Sequence, residues 1–178
     1  MALTAAELAT RVRIVPNFPK PGIMFQDITT LLKDRDSLRS VNDILLERYK
    51  EARIDKVVSV ESRGFIVGAS LALSLQAGFV PVRKTGKLPA ATLREEYALE
   101  YGTDSVEIHT DAIQRGERIL LHDDLLATGG TMTAAVKLVE RLGGMVVGIA
   151  FLIELAFLNG RQKLSGYDVF SIIRVEKE

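Results

Sequence analysis

Residues 119–131, with the sequence ILLHDDLLATGGT, combine two carboxylates with a glycine-rich turn. An apolar run leads to Asp123 and Asp124, four residues intervene, and a Gly-Gly-Thr sequence at 129–131 then opens a helical pattern. In a sheet flanked by helices, this order predicts acids at the carboxyl end of a strand, where ligands bind, and glycines at a helix N-terminus. Backbone N–H groups and the helix dipole favour an anion there, and Thr128 adds a hydroxyl donor. Adjacent carboxylates repel phosphate but accept hydrogen bonds from sugar hydroxyls, so the segment predicts a ribose 5-phosphate site.

A purely structural interpretation explains each of these residues singly but not the whole string. Two glycines can simply begin a helix, and two aspartates can simply solvate the end of a strand. The competing phosphate motifs are absent, because the sequence contains neither G-x-x-x-x-G-K-[ST] nor G-x-G-x-x-G. The string therefore favours a sugar phosphate over a P-loop nucleotide or a classical dinucleotide.

The composition limits the chemistry that the rest of the chain can add. Of 178 residues, 23 are Lys or Arg and 23 are Asp or Glu, so the formal net charge is zero. That balance gives no global field for nucleic acid or an anionic membrane, and we expect neither as a partner. With no cysteine and only two histidines, thiol nucleophiles and cysteine-type zinc sites are excluded, and a reducing cytoplasm is the expected location.

Strands and helices alternate along the sequence, which predicts the elements that position these residues. Thr4 and Glu7 match a capping box for a helix ending near Val15, and the three prolines within 16–21 predict a stiff loop. Further helices are predicted at about 36–51, 65–76 and 131–142, with strands at 56–60, 79–82, 118–123, 145–153 and 168–175. Continuous apolar strands in this order indicate an α/β fold, a mostly parallel central sheet with helices on both faces.

Two segments depart from that alternation. Residues 65–82 carry no charge, but their serines, glutamine, glycines and proline favour a buried helix and strand over a membrane span. Residues 83–109 begin with the basic sequence RKTGKLP and then alternate apolar and charged residues, which predicts a mobile connection followed by an antiparallel excursion. With no repeat and no linker, one domain over 1–178 is expected.

The chain resembles the type I phosphoribosyltransferase family, and in particular its adenine-using members. The resemblance covers most of the chain, through FPKPGIMFQDIT at 18–29, ESRGF at 61–65, RKTGKLP at 83–89, LEYGTDSVEIH at 99–109, the string at 119–131 and FLIEL at 151–155. It implies the type I fold with a small N-terminal hood at 1–33 and a flexible catalytic loop at 83–109. It also implies purine salvage, in which adenine and 5-phosphoribosyl 1-pyrophosphate give AMP and pyrophosphate.

The resemblance assigns roles at the sugar phosphate end of the substrate. Asp123 and Asp124 would hold the ribose hydroxyls, and the loop of Ala127, Thr128, Gly129, Gly130 and Thr131 would hold the 5-phosphate. The pyrophosphate would be bound by Glu61, Ser62, Arg63, Lys84 and Lys87. Without the family, Arg63 after a strand is more often a solvated terminus, and a solvated loop explains both lysines equally well. Arg83 is implied to act catalytically on pyrophosphate in the neighbouring subunit, so a homodimer is implied too.

The resemblance also assigns roles at the base. Backbone groups at Met24 would read the edge of adenine, Phe25 would stack on the ring with Gln26 beside the purine, and Leu155 would close the other face. By pattern alone, Phe25 and Leu155 fit a core better than a ligand site, and only the family resemblance reverses that preference. Glu100 is implied as the acid/base group near purine N7. Mg²⁺ is the implied cofactor, held mainly by substrate oxygens with no direct protein ligand assigned.

Two residues depart from the family's pattern, and two other functions remain alternatives. Gln26 stands where the family often has Arg, and His122 stands where an apolar residue is usual and is expected to point away from the site. One rival is a sister enzyme that uses hypoxanthine, guanine, xanthine or orotate, against which the hood residues 18–29 argue. The other is a nucleotide-sensing regulator, which would need a nucleic-acid-binding element that the sequence does not offer.

Overall fold

The computed structural model describes residues 3–98 and 102–177. The strands are β1 (Arg13–Pro16), β2 (Met24–Asp27), β3 (Lys56–Val60), β4 (Gly78–Lys84), β5 (Thr92–Ala98), β6 (Thr103–His109), β7 (Arg118–Leu126), β8 (Met145–Leu155) and β9 (Val169–Val175). The helices are α1 (Ala5–Ala9), α2 (Thr29–Leu32), α3 (Arg35–Tyr49), α4 (Gly64–Ser74) and α5 (Gly130–Arg141). Two 3₁₀ helices, Ala156–Leu158 and Gly160–Leu164, lie between β8 and β9.

Seven strands form one sheet in the order β5-β6-β4-β3-β7-β8-β9. The pairs β4-β3, β3-β7, β7-β8 and β8-β9 are parallel. Strand β6 pairs antiparallel with both β4 and β5. Apolar side chains of the strands pack into two clusters, one containing the buried residues of α5 and the other those of α3 and α4. The predicted α/β class, with a mostly parallel sheet covered on both faces, is confirmed.

The start of the chain is only partly as predicted. Thr4 and Glu7 form the capping box, but α1 ends at Ala9 rather than near Val15. The following residues form β1, which pairs antiparallel with β2 from Arg13 opposite Asp27 to Pro16 opposite Met24. The spacing of Leu8 and Val12 fits a helix, yet pairing with a partner strand further along the chain satisfies more backbone groups there. The prediction of a helix to Val15 is therefore wrong.

Three core strands are longer than their apolar runs. β7 continues to Leu126, which pairs with Glu154, and β8 continues to Leu155, which pairs with Val175. β4 begins at Gly78 and ends at Lys84, which pairs with Val106 of β6. Strand ends follow the reach of neighbouring strands rather than hydropathy, because each added residue gains ladder hydrogen bonds. The acids of β7 thus lie inside the strand and not beyond its end.

The buried helix and strand and the antiparallel excursion are present as predicted, whereas Arg83 and Lys84, the first residues of the predicted connection, belong to β4. Residues 65–82 contain most of α4 and then β4, as expected for a buried helix followed by a strand. β5 and β6 are antiparallel over the full register from Thr92 opposite His109 to Ala98 opposite Thr103. Within residues 3–98 and 102–177, the helices include none whose length and hydropathy would let it cross a membrane.

Candidate functional site

The two predicted acids are consecutive residues in the C-terminal half of β7, and this strand lies between β3 and β8 in the sheet. Asp124 is buried, and its backbone N–H donates to Asp123 Oδ1 over 2.8 Å. Burial, reinforced by the adjacent negative charge of Asp124, raises the pKa of Asp123. Arg63 balances this charge, because its Nε lies 2.5 Å from Asp124 Oδ2. The pair can accept hydrogen bonds from two neighbouring hydroxyls once Arg63 releases Asp124.

The predicted phosphate loop, residues 127–131, connects β7 to α5. Gly129 caps α5 with a left-handed backbone, φ 80°, that disfavours any residue with a Cβ. No side chain caps this helix end, so its first N–H groups remain available to an anion. A small cavity of about 80 Å³ is lined by this loop together with Asp123 and Phe151. The structure therefore brings the acids and the loop to one place, as the sequence predicts.

The junction of β3 and α4 carries three of the residues predicted for pyrophosphate, Glu61, Ser62 and Arg63, whereas Lys84 ends β4 and Lys87 follows it. Arg83 Nε donates to Glu61 Oε2 over 2.7 Å, and the backbone N–H of Lys84 donates to Glu61 Oε1 over 2.8 Å. Burial favours the neutral form of Glu61, but these two hydrogen bonds hold its pKa below the usual value. The peptide bond between Glu61 and Ser62 is cis. Lys87 takes part through its backbone oxygen, which accepts from Arg83 Nη1 over 3.2 Å.

A cavity of about 270 Å³ is lined by residues from six segments of the chain. Three of its charged groups, Glu61, Arg63 and Lys84, belong to the residues predicted for pyrophosphate, two belong to the acid pair, and Thr131 adds a hydroxyl from the phosphate loop. Its lining comprises Val60, Glu61, Arg63, Lys84, Tyr97, Val106, Asp123, Asp124, Leu125 and Thr131. Carboxylates and cations in one cavity suit a ligand that carries both hydroxyls and phosphates.

The predicted base-binding residues lie in the hood formed by β1 and β2. Met24 is 41% exposed, whereas Phe25 and Gln26 are half-buried. The Phe25 ring packs edge-on against Phe18, with centroids 5.1 Å apart, and the Arg63 guanidinium lies 5.1 Å from the centroid of Phe25. Arg63 therefore links the hood to the acid pair, because it contacts Phe25 and Asp124 together.

The remaining assigned residues differ in what the structure says of them. Leu155 is half-buried at the end of β8 and packs against the second apolar cluster. Gln26 donates from Nε2 to the backbone oxygen of Met24 over 3.5 Å, so its amide stays within the hood. Glu100, the implied acid/base group, lies outside the described residues.

His122 is fully buried in β7, next to the acids. Its Nδ1 lies 3.0 Å from the backbone oxygen of Ala150, and its Nε2 has no hydrogen-bond partner among the described residues. Burial lowers the pKa of His122 to about 4, so the ring is neutral near pH 7. Its side chain is absent from the lining of the 270 Å³ cavity.

The sequence motifs do not assign two residues that the structure places at the site, Tyr97 and Gly160. Tyr97 of β5 lines the cavity, and its hydroxyl donates to Asp104, which also pairs with Lys84 Nζ over 3.1 Å. The alternation of β5 was a usable signal, since it sets Tyr97 on the same face as Leu93. Gly160 contacts the phosphate loop from a segment about thirty residues away, and the sequence carries no local signal for it.

Comparison with known proteins gives a consistent result. A family model described as "Phosphoribosyl transferase domain" matches residues 27–176. The adenine phosphoribosyltransferase of Desulfitobacterium hafniense (strain Y51) is 53% identical over 172 residues, covering 97% of this chain and 99% of the relative. That of Acidobacterium capsulatum is 59% identical over 166 residues, covering 93% of this chain and 92% of the relative.

Solved structures agree in fold as well as in sequence. Adenine phosphoribosyltransferase from Thermoanaerobacter pseudethanolicus superposes with a TM-score of 0.94 at 53% identity, covering 97% of this chain and 100% of the other. The enzyme from Saccharomyces cerevisiae, solved with adenine and an imino-altritol bisphosphate, gives a TM-score of 0.89 at 42% identity, covering 95% and 98%.

Proposed function

The chain belongs to the phosphoribosyltransferase family, and from this premise we propose how its site makes AMP in purine salvage. The reaction joins adenine to 5-phosphoribosyl 1-pyrophosphate and releases pyrophosphate, which makes the protein a pentosyltransferase. The observation that carries the proposal is the shared cavity in which the acid pair, Arg63, Lys84 and Thr131 meet. Its groups match the hydroxyls and the two phosphate ends of that sugar.

At the sugar, we assign Asp123 and Asp124 to the ribose hydroxyls and residues 127–131 to the 5-phosphate. The acids accept hydrogen bonds, and their negative charge stabilises the positive charge that develops at the anomeric carbon. Arg63 must move from Asp124 to the entering diphosphate, which exchanges one anionic partner for another. Sugar binding thereby also changes the position of the Arg63 guanidinium relative to the Phe25 ring.

At the leaving group, we assign Glu61, Ser62, Arg63, Lys84 and Lys87 to pyrophosphate. The bond from the anomeric carbon to the pyrophosphate oxygen breaks as the bond to purine N9 forms, and the arginine and lysine charges stabilise the departing anion. Glu100 accepts the proton from the purine. Closure of residues 83–109 as a flexible catalytic loop would exclude the water that otherwise hydrolyses the activated sugar.

Magnesium fits this site as an ion carried by the substrate. Mg²⁺ is commonly bound by one or two carboxylates together with substrate phosphates and waters. The described residues contain no group of three or more His, Cys, Asp or Glu able to hold a metal, which agrees with an ion held mainly by substrate oxygens. When bound, Mg²⁺ would neutralise charge on the diphosphate oxygens.

At the base, we assign the backbone of Met24 to the edge of adenine, with Phe25 and Leu155 on its two faces and Gln26 beside it. Adenine presents an amino donor next to a ring acceptor, which a peptide group complements. An oxopurine carries an acceptor in place of that donor and leaves the pairing broken. Phe25 and Leu155 are both half-buried apolar side chains.

Pyrophosphate release tests the proposal directly. Purified protein is incubated with Mg²⁺ and 5-phosphoribosyl 1-pyrophosphate, with adenine, hypoxanthine and guanine in separate reactions. We expect release with adenine alone. Release with an oxopurine would contradict the assignment of the hood, and binding of the sugar without release by any base would favour the sensor function.

We also propose a homodimer in which Arg83 acts on the neighbouring subunit. Within its own chain Arg83 is bound to Glu61, so action within one subunit is the alternative. Arg83→Ala and Asp124→Ala proteins are each expected to be inactive. A mixed dimer has one site with its own Asp124 and the neighbour's Arg83, so mixing should restore activity. No gain on mixing would contradict action across the interface.

The proposal treats residues 1–178 as one domain with the hood at 1–33. It includes a cytoplasmic location, with which the cysteine-free composition agrees. Sedimentation of the pure protein measures the assembly, and fractionation of producing cells measures the location.

A further inference from the structure

The backbone of Gly160 lies directly against the backbone of the phosphate loop. A Cβ atom built on Gly160 would overlap the carbonyl oxygen of Ala127 and lie 2.9 Å from the nitrogen of Gly129. In the reverse direction, a Cβ on Gly129 would lie 2.6 Å from the carbonyl oxygen of Gly160. Carbon atoms do not approach backbone atoms this closely, so neither position can carry a side chain unless the other backbone shifts.

The position of Gly160 is fixed by its neighbours in sequence. Asn159 adopts a left-handed backbone, φ 54°, at the junction of the two 3₁₀ helices. Arg161 donates from Nε to Glu154 Oε1 over 2.9 Å and from Nη1 to the backbone oxygen of Val169 over 2.6 Å. Glu154 is 2% exposed, and hydrogen bonds from Arg161 and Ser171 hold its pKa below the usual value although burial opposes this. An ion pair between the buried Glu154 and the partly exposed Arg161 therefore closes the chain around residues 155–160.

The two ends of this closed segment meet different parts of the proposed substrate site. Leu155, directly after Glu154, is assigned to the base, and Gly160, directly before Arg161, contacts the loop assigned to the 5-phosphate. The shape of the phosphate loop at Ala127 and Gly129 depends on where Gly160 lies. Among the described residues no side chain caps the first N–H groups of α5, although Thr133 Oγ1 donates to the Gly129 carbonyl oxygen over 2.8 Å.

We propose that Gly160 is a positioning residue for the 5-phosphate, acting through the backbone of Ala127–Gly129; this inference rests on the proposed function. A methyl group at Gly160 needs about 1 Å of extra space, which displaces the peptide groups that bind phosphate. A misplacement of about 1 Å at a binding group can cost about a hundredfold in rate. The effect should appear in binding of the sugar phosphate and not in binding of the base.

The test compares Gly160→Ala with the matched variant Gly78→Ala. A Cβ on Gly78 would lie 3.3 Å from Lys56 Cγ and no closer than 3.7 Å to any backbone atom, so this control adds the same methyl group without forcing backbone apart. Calorimetric titration with ribose 5-phosphate should show a tenfold to hundredfold weaker Kd for Gly160→Ala and a Kd within twofold of wild type for Gly78→Ala. The KM for adenine at saturating sugar diphosphate should stay within twofold in both. Equal Kd values in the two variants would overturn the inference.

A second pair covers the case in which Gly160→Ala does not fold. Asn159→Ala strains the left-handed turn that places Gly160, and Gln76→Ala makes the same change at another left-handed residue, φ 56°. We expect a severalfold weaker Kd for ribose 5-phosphate in the first variant only, and the same Kd in both would overturn the inference. If the wild type binds ribose 5-phosphate but makes no AMP, the proposed function fails, while these Kd comparisons still decide the role of Gly160.

Discussion

The phosphate loop and the hood are assigned to opposite ends of the proposed product AMP, and they are built differently. Gly129 and Gly130 are buried between β7 and α5, inside the layers of the seven-stranded sheet. The hood contains a separate two-stranded sheet, and some of its apolar side chains are exposed, with Ile14 at 55% and Ile23 at 44%. A phosphate needs several backbone donors at fixed positions, whereas a planar base needs apolar surface that can close on it. The first region is therefore rigid by packing, and the second keeps its contact surface open.

The largest expected effect comes from the same substitution made in both regions. Gly129→Ala meets a left-handed backbone and the Gly160 oxygen, so kcat/KM for the sugar diphosphate should fall about a hundredfold. Gly22→Ala in the hood meets a similar φ of 88° but nothing within 4 Å, and should change kcat/KM by no more than about threefold. Steady-state kinetics on both variants measure the contrast. Similar losses in the two would show that the regions are equally rigid.

A smaller effect is expected from removing the hood's aromatic face. Phe25→Ala should raise the KM for adenine about tenfold, because stacking of a base on an aromatic ring contributes about 1–3 kcal/mol. The KM for the sugar diphosphate should change less than twofold. Phe79→Ala removes another half-exposed ring, paired with Phe65 at 5.6 Å, and serves as the control. A matching rise in both KM values for Phe25→Ala would contradict a separate base region.

Lowering the pH should reduce the free energy of unfolding through His122, which is buried next to the acid pair. Its pKa falls from 6.5 in the unfolded chain to about 4 in the fold, so folding releases protons in that range. The associated stability is present above pH 6.5 and is lost as the pH falls toward 4. Between pH 7 and pH 5.5 the free energy of unfolding should drop about 1 kcal/mol more in wild type than in His122→Val. Denaturant titrations at the two pH values measure this difference. Parallel pH profiles in the two proteins would contradict the burial of a neutral His122 next to the acid pair.

The smallest effect is expected at the base of the hood. Hydrogen bonds from Thr29 and Arg13 lower the pKa of Asp27 to about 2, so its contribution is present above the ordinary value near 3.8 and is lost at lower pH. Asp27→Asn should cost less than about 1 kcal/mol of stability at pH 7, because exposed ion pairs contribute little. The KM for adenine should rise no more than about twofold. A tenfold rise would mean that the hood requires a fixed shape.

Local sequence determined much of this protein. The string at 119–131 predicted both the acid pair and the glycine turn that begins α5, because a strand, a turn and a helix start are set by neighbouring residues. The strand at 56–60 and the helix over Arg35–Tyr49 follow from apolar spacing in the same way. The order of these elements sufficed for the α/β class, since parallel strands need helical crossovers.

Only the tertiary structure decided which distant residues meet. Arg63 joins Asp124, 61 residues away, to Phe25 of the hood, and Gly160 lies against Gly129. Strand ends and the pairing of β1 with β2 likewise depended on partners that no local window contains. Residue spacing fixes what a segment can do by itself, whereas contacts across the sheet depend on how all segments pack together, which is why the acids were predictable and the support beneath the phosphate loop was not.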